Sequence, residues 1–196
     1  LVILSIAARI KEGLQCRAVP TSDQTKKLAA EQGIPLLELN DVEALDLTID
    51  GADEIDPQLR LIKGGGGALL QEKMVAAASD QLIIIADQSK LVQQLGAFPL
   101  PVEVIPFGWK QVQRHILQMG CKEVAPRSRN GQTFVTDQGH YILDCHFKTI
   151  DDPPALNIAL HNIPGVVETG LFINLATTAV VGNAEGHLQT LSAQRI

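Results

Sequence analysis

Asp50-Gly-Ala-Asp-Glu-Ile-Asp56, followed by Lys63-Gly-Gly-Gly-Gly-Ala-Leu-Leu-Gln-Glu72-Lys73, is the stretch on which the reading of this chain turns. The run before it, Leu45-Asp-Leu-Thr-Ile49, alternates apolar and polar residues and carries β-branched ones. It predicts a buried strand with Asp50 and Asp53 just past its C-terminal end. In open α/β sheets ligands bind at that edge, where loops and helix N-termini converge on a crevice. Gly64 to Gly67 let backbone approach a ligand unobstructed and present N–H groups to an anion. Ala68 to Ser79 is rich in helix formers and predicts a helix with Glu72 about one turn inside it. The positive end of its dipole faces the glycines. A carboxylate turn or a glycine run alone reads as a solvated turn. Together, with Lys63 immediately before the glycines, they read as a site, because four glycines cost entropy that a structural turn does not require.

On the N-terminal side, Ile3, Ile6, Ala7 and Ile10 fall at helical spacing and Gly13 ends the helix. Cys16-Arg-Ala-Val-Pro20 reads as a short strand. Thr21-Ser-Asp-Gln24 has a capping-box pattern opening a helix that Gly33 closes. Ile34 to Leu39 reads as another short strand. The alternation of strand and helix predicts a parallel sheet flanked by helices.

On the C-terminal side, Gln81-Leu-Ile-Ile-Ile-Ala86 is a continuous apolar run of the kind found in central parallel strands. It leads to Asp87 and Lys90 at the same kind of strand end as Asp50. Composition shifts at Pro99, Pro101 and Pro106, which confine the extended Val102–Ile105 to a sheet edge or a domain boundary. Trp109, Val112, Ile116 and Met119 make one apolar helix face ending at Gly120. Turns at Asn130-Gly131 and Gln138-Gly139 bracket Thr133–Thr136 and Tyr141–Phe147 as an antiparallel meander. Asp152-Pro-Pro-Ala155 caps a helix with Leu156, Ala159, Leu160 and Ile163 inward, and Val166 to Leu171 is a further strand. This order of elements fits a small α+β layer. Ala179–Val181 and His187–Leu191 are expected to return to the first layer as a hairpin.

A chain of 196 residues, 45% apolar and 19% charged, is an ordinary globular protein of one domain or two small ones. Its net charge of −6 excludes non-specific nucleic-acid binding, which needs a basic face, so an anionic substrate must be held by a local patch. Cys16, Cys121 and Cys145 lack metal-ligand spacing and read as buried thiols of a reducing, cytoplasmic compartment. His115, His140, His146, His161 and His187 are scattered and read as structural or surface residues, so no metal is expected. The apolar start, Leu1-Val-Ile-Leu-Ser-Ile6, is too short to span a membrane and lacks a basic leader.

Asp50-Gly-Ala-Asp-Glu54, Lys63-Gly-Gly-Gly, Glu72-Lys73 and Asp87-Gln-Ser-Lys90, in this order and spacing, resemble type A ribose-5-phosphate isomerase. Pro99-Leu-Pro-Val-Glu-Val-Ile-Pro106 and Pro164-Gly-Val-Val-Glu-Thr-Gly-Leu-Phe172 resemble the same family, so the likeness covers almost the whole chain. It implies an α/β fold: a Rossmann-like parallel sheet with helices on both faces, plus a smaller α+β, ferredoxin-like domain. The implied division gives residues 1–98 and 177–196 to the catalytic domain and 99–176 to the smaller one. The resemblance further implies an aldose–ketose isomerase of the non-oxidative pentose phosphate pathway. Such an enzyme is cytoplasmic, free of metal and cofactor, and a homodimer or homotetramer, with no nucleic-acid or membrane partner. Its substrate is a sugar phosphate, ribose 5-phosphate or ribulose 5-phosphate.

Such a reaction moves a proton between adjacent carbons through an enediolate. Glu72 suits the base, a role worth about 10²–10⁴ in rate, and Lys63 with the glycine-loop N–H groups suits the oxyanion. The resemblance makes Asp50, Gly51, Ala52, Asp53, Lys63, Gly64, Gly65, Gly66 and Lys90 substrate-binding, with Asp50 also catalytic and Lys90 on the phosphate. Two departures stand out. Gln71 occupies a position where the family often has Arg. The family's Gly-Thr-Gly-Ser-Thr phosphate loop has no counterpart, so the sequence is expected to begin just after it and to bind the phosphate weakly. A sugar-phosphate-sensing regulatory domain predicts a basic DNA-binding segment, for which this chain has no room. A coenzyme A transferase-like protein predicts a covalent acyl intermediate on Glu72. A dinucleotide enzyme fits poorly, since the glycine loop lacks a well-matched acid about 20 residues on.

Overall fold

The computed structural model describes residues 2–193. Helix α1 (Val2–Lys11) and helix α2 (Asp23–Glu31) form as their periodicity predicts, and the Ser22 hydroxyl caps α2 by accepting from Thr25 N–H at 3.1 Å. The two strands expected around α2 shrink to one parallel bridge, Ala18 with Leu36. Pro35 sits near the start of the second and has no N–H to extend the ladder. These helices close over their own small core of Ala7, Ala29 and Ile34.

Strand β1 (Thr48–Asp50) starts later than the alternation predicts and includes Asp50 as its last residue. Leu45 is drawn aside by its N–H, which donates to the Ala78 carbonyl at 2.8 Å. Two short strands, β2 (Glu54–Ile55) and β3 (Leu61–Ile62), lead to helix α3 (Leu69–Ala77) and strand β4 (Leu82–Asp87). There follow β5 (Leu100–Val104), α4 (Trp109–Gln118), β6 (Val124–Pro126), the hairpin β7 (Ser128–Arg129) and β8 (Gln132–Thr133), and β9 (Tyr141–Cys145). The chain continues with α5 (Pro153–His161), β10 (Val166–Thr169), β11 (Leu171–Phe172), β12 (Thr178–Gly182) and β13 (Leu188–Ser192).

One sheet has the order β1-β4-β12-β13, with β4 parallel to both β1 and β12 and β13 returning antiparallel as a hairpin. A second has the order β10-β5-β9-β6 with α4 and α5 as its connections, the split β-α-β arrangement of a ferredoxin-like layer. The fold is therefore the mixed α/β expected. Two expectations need correcting. Strand β5 is interior, not an edge, despite Pro101. Its ladder with β10 ends at Val102 opposite Thr169, and the Pro101 ring then faces Gly170, whose lack of a Cβ leaves room for it. Val166 to Leu171 is not one strand, because the chain changes sheets at Gly170.

The change of sheet creates a third, three-stranded sheet, β11-β3-β2. Successive residues of a strand face opposite ways. Ile62 and Leu171 accordingly enter the core of the ferredoxin-like layer, while Leu61 and Phe172 enter the core beneath the parallel sheet. This small sheet joins the two layers and carries Lys63 at its end. Gly170 is the pivot: its carbonyl accepts from Lys63 N–H at 2.9 Å and its N–H donates to Pro101 O at 2.7 Å. A Cβ there would lie 2.4 Å from the Lys63 carbonyl oxygen and 2.8 Å from Pro101 Cδ, both of them immobile. Gly170→Ala is thus expected to lose about 1–3 kcal/mol or more, read as a lowered urea midpoint. An unchanged midpoint would show that the pivot is not tight.

Candidate active site

Three charged groups meet where β1, β3 and α3 converge. Lys63 is buried, with its residue only 3% exposed. Its Nζ donates to Gly51 O at 2.6 Å, stands 2.9 Å from Asp50 Oδ2 and 3.3 Å from Glu72 Oε2. The shorter contacts fix the ammonium on the β1 side. Glu72 Oε2 is buried and makes no well-aligned hydrogen bond, with the ammonium 3.3 Å away. A carboxylate held this loosely by its cation keeps the basicity that a proton acceptor needs. Burial raises the Glu72 carboxyl above its ordinary value; Lys63 opposes the rise, while Asp50 and Asp53 add to it.

Asp53 faces the glycine loop. Its Oδ2 accepts from Gly65 N–H at 2.8 Å, and a Cβ on Gly65 would lie 2.6 Å from Asp53 Oδ1, so only glycine allows this approach. Gly66 differs, because a Cβ there would meet nothing within 4 Å. The protein itself does not require Gly66 to be small; the space it leaves is open crevice. Gly64 is buried behind Gly65 and Gly66, and Ala52 packs against the core beneath the parallel sheet.

Asp50, Gly51 and Glu72 are thus tied together through Lys63, and Asp53 and Gly65 form a second contact pair. Lys90 is apart from them. It ends the short turn after β4, the strand that pairs with β1, and makes no hydrogen bond or ion pair among the described residues. The carboxylates of the opening stretch also divide. Asp50 and Asp53 face the site, whereas Glu54 is buried and accepts from Gly96 and Phe98 N–H, and Asp56 is buried against Arg60.

Sequence reasoning missed the residues that hold the site from the other layer. Lys73 donates to Glu168 Oε1 at 2.6 Å and to Thr169 O at 2.8 Å, pinning α3 to β10, and stands 4.9 Å from the Phe172 ring centre. Burial lowers the pKa of Lys73, and Glu168 opposes that shift. Arg127 and Arg129 reach the glycine-loop carbonyls across a sequence separation of 63 residues, for which no local signal exists. Three of the scattered histidines meet carboxylates: His140 with Glu103 and His161 with Glu168, each at 2.9 Å, and the exposed His187 with Glu185 at 3.4 Å. Among the described residues no group of three or more His, Cys, Asp or Glu can hold a metal ion. Beside the site, a cavity of about 700 Å³ runs from Asp50 and Gly51 past Val75 and Ile85 to Ile3 and Ile6 of α1.

The sequence profile described as ribose 5-phosphate isomerase A (phosphoriboisomerase A) matches residues 17–186. The ribose-5-phosphate isomerase A of Bacillus cereus is 58% identical over 185 residues, covering 94% of this chain and 84% of that protein. Ribose 5-phosphate isomerase from Plasmodium falciparum superposes with a TM-score of 0.95 at 38% identity, covering 99% of this chain and 86% of that one. A D-ribose-5-phosphate isomerase solved in complex with phospho-erythronic acid superposes with a TM-score of 0.92 at 39% identity, covering 97% and 84%.

The raised Glu72 carboxyl has two consequences. A base must be ionised, so the acidic limb of kcat/KM is expected to titrate above the ordinary glutamate value. The folded state also holds this proton more tightly than the unfolded chain. The stability it confers is complete below the unfolded pKa and is lost as pH rises through the folded one. Relative to Glu72→Gln, the native protein should therefore lose stability across that interval in urea titrations at a series of pH values. A difference that stays constant with pH, or grows in favour of the native protein, contradicts the assignment.

Proposed function

The chain belongs to the ribose 5-phosphate isomerase A family and interconverts D-ribose 5-phosphate and D-ribulose 5-phosphate; we propose that it does so through an enediolate, with Glu72 as the base. The observation that carries this reading is the buried Glu72 carboxylate, raised by burial and held beside Asp50 on the one Lys63 ammonium. In the forward direction Glu72 takes the proton from C2 of the open-chain aldose. The electron pair forms the C1–C2 double bond, and the carbonyl pair moves onto O1. Glu72 then returns the proton to C1, while the O2 hydroxyl proton passes to O1 by way of Asp50. Both carboxylates lie within 3.3 Å of the same ammonium, so they are held in one place for the two transfers.

Lys63 offsets the charge of Asp50 and Glu72 and lends a positive field to the developing oxyanion. Gly51, Ala52 and Asp53 line the sugar hydroxyls, Gly64 to Gly66 the reacting end, and Lys90 the phosphate. Support for the placement of Lys90 is its position at the C-terminal end of the strand beside β1, where its ammonium makes no hydrogen bond or ion pair among the described residues. The neighbouring cavity meets the site only at Asp50 and Gly51, so the sugar is placed outside it, against Lys63 and the glycine loop. The family match favours this isomerase over the sensor and transferase readings.

The domain division is proposed as residues 1–98 with 177–196, and 99–176. The pairing of β12 with β4 supports it; β11, paired with β3, crosses the line. A homodimer or homotetramer is proposed on the display of large apolar side chains such as Phe107, 90% exposed, and Ile158, 63% exposed. Among the described residues no helix is long and apolar enough to cross a membrane. The cytoplasm is inferred from three free thiols.

Glu72→Gln keeps the shape and removes the base, so kcat should fall by about 10²–10⁴ with little change in sugar-phosphate affinity. Near-native turnover in that variant would overturn the assignment. Turnover is expected to survive a chelator, since the described residues hold no cluster of metal ligands. Loss of activity on chelation, restored by a divalent ion, would contradict this.

A further inference from the structure

The glycine loop is gripped on its carbonyl side by the ferredoxin-like layer. Arg127, between β6 and β7, donates from Nη1 to Gly64 O at 2.7 Å and to Gly65 O at 3.2 Å. Its other face is fixed by Asp144 of β9, through Nε to Oδ2 at 3.0 Å and Nη2 to Oδ1. The backbone of Arg127 is held as well, its N–H donating to Ile142 O and its carbonyl accepting from Phe134 N–H. With 12% of its side chain exposed, the guanidinium has one orientation available.

A trans peptide is planar, and its N–H points opposite to its carbonyl; among the described residues there is no cis peptide. Two planes of the loop are therefore set from the Arg127 side. In the Gly64–Gly65 plane the carbonyl faces Arg127 and the N–H faces Asp53, where it donates at 2.8 Å. In the Gly65–Gly66 plane the carbonyl also faces Arg127, so the Gly66 N–H turns to the crevice. No protein acceptor meets that N–H among the described residues, and the space beside Gly66 is open. The next plane turns back, with Gly67 N–H donating to Gly64 O at 3.0 Å. Among the described residues the Gly66 N–H is thus without a protein acceptor and is turned away from Arg127 toward the open space beside it.

We propose that Arg127, held by Asp144, is a positioning residue for isomerisation: it orients the glycine-loop peptides so that the Gly66 N–H donates to the enediolate oxygen. The proposal rests on the isomerase reading. It makes the ferredoxin-like layer part of the catalytic machinery without any of its side chains touching the sugar. Lysine at position 127 keeps the charge and loses the fork, so it can satisfy one carbonyl and leaves the second plane free to rotate. A misplaced oxyanion donor costs roughly 10- to 100-fold in rate.

The test compares the native chain with Arg127→Lys and Asp144→Asn in steady-state kinetics, thermal melting and inhibition by phospho-erythronic acid. The carboxylate of that acid resembles the two oxygens of the enediolate. Both variants are expected to lose roughly 10- to 100-fold in kcat while KM and the melting temperature stay close to native. Inhibition should weaken by a similar factor. Native kcat in Arg127→Lys, or losses that follow the melting temperature and KM alone, would overturn the proposal. In the native chain, the amide proton of Gly66 should move downfield on binding phospho-erythronic acid while that of Gly67 does not. An unmoved Gly66 amide overturns the proposal even where the variants fail to fold. An inactive native chain would instead count against the isomerase reading.

Discussion

The Lys63 ammonium, buried between Asp50 and Glu72, is the contact on which the rest of the site depends. Three polar groups share it: Gly51 O, Asp50 Oδ2 and Glu72 Oε2. Without a cation there, burial and the neighbouring Asp50 charge would raise the Glu72 carboxyl unopposed. With the cation pressed fully against Glu72, the carboxylate would be too well stabilised to act as a base. The observed arrangement lies between these limits. The closest contacts go to the β1 side, burial still raises Glu72, and its Oε2 makes no well-aligned hydrogen bond.

Lys63 keeps its position because its backbone belongs to the junction of the two layers. Its N–H is bonded to Gly170, where the chain crosses from the ferredoxin-like sheet to the small central one. Leu61, Ile62, Leu171 and Phe172 are all essentially inaccessible to solvent and send alternate side chains into the two cores. Phe172 also lies beneath both lysines, with Lys63 at 5.4 Å and Lys73 at 4.9 Å from its ring centre. A shift of either layer would therefore move the charge that tunes the base.

Much of this was legible in the sequence because it is local. The strand ending in Asp50, the glycines, the helix with Glu72 in its first turn and the strand before Asp87 are each written in about ten consecutive residues, and the periodicities that reveal them are short. What was not legible depends on distant partners. Pro101 reads as a residue of a sheet edge or domain boundary because an interior strand tolerates its ring only beside a residue as small as Gly170, a fact of tertiary pairing. The break at Gly170 was hidden inside a run that reads as one strand. Glu54 and Asp56 were indistinguishable by type from Asp50 and Asp53, since Gly96, Phe98 and tertiary burial decide which carboxylates face inward. Arg127 had no signal at all, being 63 residues from the carbonyl it holds.

The most direct test of the account is solvent exchange at the reacting carbon. The enzyme is incubated with ribose 5-phosphate in deuterium oxide, and incorporation into the sugar phosphates is followed by NMR for the native chain and for Glu72→Gln. If Glu72 takes the proton, the native chain incorporates deuterium at C1 of ribulose 5-phosphate and C2 of ribose 5-phosphate. The variant then binds the sugar phosphate and incorporates none. Incorporation by Glu72→Gln at a rate near native would show that another group takes the proton, and would contradict the central claim.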